Sequence, residues 1–161
     1  MNNKRFWNVV IVAFSLPVLF AILDVIGAGL WMKVGGWESQ AYVIGGHIYQ
    51  YAFWSLAYAL IIGIAITYYL VKKDKSEALA LVIIPAILLQ CGVEDVIFYW
   101  LKGLNVFQYT MPWLMENLWP PTIITYITHQ PVITGSILFF TACVGILVSW
   151  KVAKHLEKVD G

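Results

Sequence analysis

The chain has 161 residues, of which 61 % are hydrophobic and only 12 % charged, with a formal net charge of +1. A soluble domain carries about 25 % charged residues, so this composition cannot cover a water-facing surface, and the mean hydropathy of +0.78 points to a membrane protein. No basic stripe is present to hold nucleic acid, and Cys91 and Cys143 both lie in apolar runs that offer neither a disulfide framework nor a cysteine-rich zinc site.

Four apolar stretches each exceed the roughly 18–20 residues needed to cross about 30 Å of hydrocarbon. The first runs from about Phe6 to Met32. It is too long for a signal-peptide core and has no small-x-small cleavage site, so it reads as a retained helix. A short Gly-rich turn leads to the second stretch, about Ala41 to Val71. The charged turn Lys72 to Glu77 precedes the third, Ala78 to Leu101. The segment 102–121 carries Trp113, Trp119 and two proline breaks, and reads as an outer loop that lies along the interface or closes over the bundle mouth as a lid. The last stretch runs from about Thr122 to Trp150, with a kink expected beside His129 because Pro131 removes a backbone donor. The expected fold is all-α, a single transmembrane domain over residues 1–161 built as a four-helix bundle.

Orientation follows from the basic residues. Lys4, Arg5, Lys72, Lys73, Lys75, Lys151, Lys154 and Lys158 fall on one side, against Lys33 and Lys102 on the other. The positive-inside rule then places both termini in the cytoplasm. A prokaryotic plasma membrane is the default setting. Most tryptophans lie near span ends, where an amphipathic ring prefers the headgroup level.

Polar residues inside the spans carry the functional signal, because an ionisable group in hydrocarbon costs several kcal/mol unless it is neutralised, paired or wetted. Asp24, His47, Glu94, Asp95 and His129 are of this kind. Counted inward at about 1.5 Å per residue, all four spans bring such a group to about 9–12 Å below the outer surface. That shared level predicts one polar chamber in the outer half of the membrane. Helical spacing adds Gln50, Tyr51, Trp54 and Tyr58 on the face of His47, and Gln90 four residues before Glu94. Asp24, Gln50, Tyr51, Trp54, Tyr58, Gln90 and Trp100 are accordingly candidate binding residues.

Four kinds of chemistry fit such a chamber. In acid–base catalysis on a lipophilic substrate, Glu94 and Asp95 supply a proton, His47 or His129 returns it, and aromatic faces steady a developing cation. In a metal site His47, His129, Glu94 and Asp24 are the candidate ligands, and the two histidines could instead hold a haem. In transport the chamber relays protons or binds a cation, although the cytoplasmic halves of the spans are apolar and no lysine lies within a span for a retinal-type pump. In an accessory subunit the pocket holds a lipid or a partner helix. The sequence names no cofactor. The expected partners are a membrane lipid or lipophilic small molecule, and a homo-oligomer or larger membrane complex.

The segment Gly92-Val93-Glu94-Asp95-Val96-Ile97-Phe98-Tyr99-Trp100 resembles the Pro-x-Glu-Glu/Asp-x-x-Phe-Phe stretch of membrane-embedded lycopene cyclase domains of bacteria and archaea. The likeness covers about ten of the 161 residues, with Gly92 standing where that family has proline. It implies that the paired acids protonate a polyene. The chain is also similar to small four-helix sterol-isomerase-like proteins in placing acids on its first and third spans, which implies carbocation chemistry again. Both resemblances favour an isoprenoid or lipid isomerase or cyclase.

Overall fold

The computed structural model describes the backbone of residues 3–33, 41–110 and 118–159, with the side chains of 4–27, 51–110 and 118–158. Among these residues the structure is helical, with six α-helices, one short 3-10 turn and no strand. The helices are α1 (Asn3–Lys33), α2 (Ala41–Lys72), α3 (Lys75–Gln90), α4 (Val93–Leu101), α5 (Trp119–Ile127) and α6 (Gly135–Val159). Three of them are long and apolar enough to cross a membrane. A fourth crossing is available if α3 and α4, which meet at a 64° bend, make one broken span.

The third apolar stretch therefore departs from the continuous helix expected for 78–101, and in the fourth, 122–150, the kink expected beside His129 is a full break between two helices. The third breaks at Cys91-Gly92. Gly92 adopts φ 78°, a left-handed conformation that costs an L side chain about 1–2 kcal/mol. Space there is equally restrictive, since a Cβ on Gly92 would stand 2.2 Å from Leu138 Cδ1. The fourth stretch divides into α5 and α6 around residues 128–134. The backbone of His129, at φ 55°, ends α5 in a Schellman turn, with His129 N–H donating to Tyr126 O (3.2 Å) and Gln130 N–H to Thr125 O (3.0 Å).

α3 is the hub, packing on α1, α2 and α6, while α4 packs on α1 and α6. Each long helix turns one narrow stripe inward. On α1 it is Phe6, Val9, Val10, Ala13, Leu16, Phe20 and Ala21, a helical spacing that the half-buried Asp24 continues. On α2 it is Trp54, Ala57, Ile61 and Ala65. α6 presents Thr141, Ala142, Gly145, Ser149 and Ala153, small residues that let backbones approach closely. At Gly145 the approach is tight enough that a Cβ would come 2.5 Å from that of Cys91. Outward faces are apolar as well: Ile11, Leu60, Ile62, Leu70 and Leu147 are all exposed.

The end carrying the basic residues is closed by a polar latch. The Glu77 carboxylate is fully buried and accepts from Arg5 Nε at 2.9 Å on both oxygens and from Arg5 Nη2 at 2.6 Å. Tyr68 OH donates to the same carboxylate. Asp74 caps α3 by accepting from the Glu77 N–H (3.0 Å) and meets Arg5 Nη2 at 3.1 Å. Trp7 Nε1 donates to Glu157 of α6 at 2.8 Å. At the opposite end, α4 closes in a Schellman turn at Gly103, and the 3-10 turn Val106–Gln108 crosses so close to the start of α6 that only glycine fits at position 135.

Candidate functional site

The elbow between α3 and α4 builds the site. Because Gly92 restarts the helix in a new direction, Val93, Glu94 and Asp95 form the first turn of α4. Backbone N–H groups at a helix start have no intrahelical acceptor, and the helix dipole there favours acidic side chains. Both acids thus sit at the end of α4 that best tolerates them. The last carbonyls of α3 are freed by the same break. Thr141 Oγ1 lies 3.1 Å from the Cys91 carbonyl and can donate to it, as it can to the Ile137 and Leu138 carbonyls of its own helix.

Glu94 is buried, with 2 % of its surface exposed, and its Oε1 has no hydrogen-bond partner among the described residues. Asp95 Oδ2 is in the same condition. Asp24, on the inward stripe of α1 and therefore facing α3 and α4, acts electrostatically on both acids. The charge of α1 thus bears on the two acids at the start of α4. No lysine or arginine lies between Phe6 and Met32, between Ala41 and Val71, or between Ala78 and Leu101.

The other expected residues divide. Trp54 is buried in the core and stacks at 6.0 Å on Tyr58, whose hydroxyl accepts from Gln90 Nε2 at 2.6 Å. The Gln90 carbonyl in turn lies 3.5 Å from the Trp119 N–H. Gln90 therefore ties α2, α3 and the start of α5 together. Its expected place on one face with Glu94 assumed a continuous helix, which the break at Gly92 removes. Tyr51 and Trp100 are exposed on the outer surface. The side chains of His47 and Gln50 lie outside the described residues. His129 is exposed in the turn after α5 and is not brought to the carboxyls, because the chain there has already left the helix.

Among the described residues no three His, Cys, Asp or Glu side chains are grouped to hold a metal ion. The expected ligand set of His47, His129, Glu94 and Asp24 is thus not assembled as far as it is described. A groove of about 320 Å³ lies beside α4, lined by Val96, Trp100, Phe139 and residues 104–107. At 100° per residue Val96 and Trp100 stand about 160° and about 120° around α4 from Glu94, so this groove is not the carboxyl site.

The acidic turn at 94–95 was readable from sequence, and the structure adds Gly92 and Thr141 as the residues that shape it. Glu77 was missed: it reads as part of a charged turn, and its partner Arg5 is 72 residues away. Comparison with family models, curated proteins and solved structures finds no match for the chain.

Proposed function

We propose that the chain is a four-span membrane protein, with α3 and α4 forming one broken span, both termini cytoplasmic, and the carboxyl site in the outer half of the bilayer. A prokaryotic plasma membrane remains its default setting. The site acts as an acid–base catalyst on an isoprenoid or other lipid, with Glu94 as proton donor and Asp95 as its partner. The observation that carries this reading is the Glu94 carboxyl, which is buried, lacks a partner on one oxygen, and stands beside Asp95 and Asp24. Buried charges are ordinarily paired, and like-charged carboxyls sharing a site cannot all ionise. Such a group is suited to exchange a proton with a substrate. The resemblance of residues 92–100 to lycopene cyclase domains supports a polyene-like substrate.

The test is incubation of the reconstituted protein with an acyclic polyene in deuterated water. Expected is an isomer of the substrate that has gained deuterium at carbon, with the product abolished by Glu94→Gln while helical content is unchanged. Full activity in Glu94→Gln overturns the assignment. A second reading, a proton-handling transport subunit, draws on the break itself, since discontinuous helices build many transporter sites. It predicts no change in the polyene and a proton flux across vesicles that depends on Asp24 and Glu94.

A further inference from the structure

We propose that α5 docks into the phospholipid headgroup layer on the side of the membrane opposite the basic residues, as a surface helix outside the spans. Its nine residues rise only about 13 Å at 1.5 Å each, too short to cross about 30 Å of hydrocarbon. It lies far from the latch, because α6 runs from the turn after α5 to the end where Glu157 meets Trp7.

The polarity of α5 is the reverse of a helix that faces water. Its outward face is Trp119, Ile123, Tyr126 and Ile127, with Trp119, Tyr126 and Ile127 about 70 % exposed. Pro121 and Thr125 are turned inward and buried. The hydroxyls of Thr125 and Thr128 donate at 2.8 Å to the Pro121 and Ile124 carbonyls of their own helix. An outward tryptophan and tyrosine flanking isoleucines match the headgroup boundary, where one end of the ring is apolar and the other wet. The exposed run Thr128, His129 and Gln130 follows at once and suits the water side. No lysine or arginine lies on α5, so the contact does not depend on lipid charge.

This placement gives the carboxyl site a position. Leu118, fully buried at the start of α5, packs against Gly92 at the elbow. The elbow then lies directly beneath the headgroup layer, within reach of a lipid entering from that leaflet. The inference does not rest on the proposed activity.

The experiment uses the full chain in phosphatidylcholine vesicles, with Cys143→Ala and an environment-sensitive fluorophore on Ile123→Cys. Both altered side chains are exposed, and Tyr126→Cys provides a second site should the first disturb folding. A label on Leu60→Cys, exposed midway along α2, is the deep reference. Expected is quenching by headgroup-level lipid nitroxides at least twofold stronger than by acyl-tail nitroxides at Ile123, and the opposite order at Leu60. Stronger quenching from the tails at Ile123 overturns the proposal, as does full quenching by aqueous iodide. Protection from all three quenchers also overturns it, because a second copy or another protein then covers the face.

Discussion

Glu77 and Glu94 are the same residue type, equally buried, in opposite circumstances. Glu77 has Arg5 across both oxygens and the Tyr68 hydroxyl beside it. Glu94 has an oxygen with no partner among the described residues and feels the charge of two further carboxyls. The first fastens three helices; the second keeps a carboxyl with one open oxygen at a helix start. The contrast shows that burial alone does not identify a functional acid. What separates the two is whether surrounding groups complete the carboxylate or leave it open.

Substitutions test this contrast. The largest effect expected is on turnover in Glu94→Gln, a fall of about a hundredfold or more, the usual contribution of a positioned general acid; product formation from the polyene measures it. Next is Glu77→Gln, which removes charge-assisted hydrogen bonds and should cost about 2–3 kcal/mol. Thermal unfolding in detergent reads this as a lower Tm, and an unchanged Tm would mean that the latch is idle. Gly92→Ala should cost about 2 kcal/mol through left-handed strain and crowding by Leu138, lowering activity as the acidic turn shifts. Thr141→Val is smaller, about 1 kcal/mol for a lost hydrogen bond, and the same melt reports it. Smallest is the thermal effect of Glu94→Gln, below about 1 kcal/mol, since the amide keeps the side chain's size and Oε1 has no hydrogen-bond partner among the described residues to lose. A Glu94→Gln loss as large as that of Glu77→Gln would erase the distinction between the two acids.

Periodicity and hydropathy carried much of this. The first two apolar stretches coincide closely with α1 and α2 because nothing inside them demands a special backbone conformation, and Pro17 is absorbed within α1. The break in the third stretch was not foreseen, and in the fourth the expected kink beside His129 proved to be a full break. A hydropathy count registers Gly92 as one more small residue and cannot register its left-handed φ or the Leu138 methyl against it. His129 was placed at the level of Glu94 by counting along a helix that ends before it. Asp24, Glu94 and Asp95 stood out in the sequence as candidates because intramembrane carboxyls are costly wherever they fall. The latch was not, since nothing local to Glu77 announces that Arg5 will reach it.

That distant pairing also imposes an order of assembly. The first turn of α3 brings a carboxylate into the bundle, and its completing groups are Arg5 near the start of α1 and Tyr68 near the end of α2. Chains are made from the N-terminus onward, so both groups exist before Glu77 emerges from the ribosome. The nascent chain therefore carries the donors for Glu77 before its third apolar segment arrives. A chain whose α1 inserts late meets Glu77 with no receiving cation.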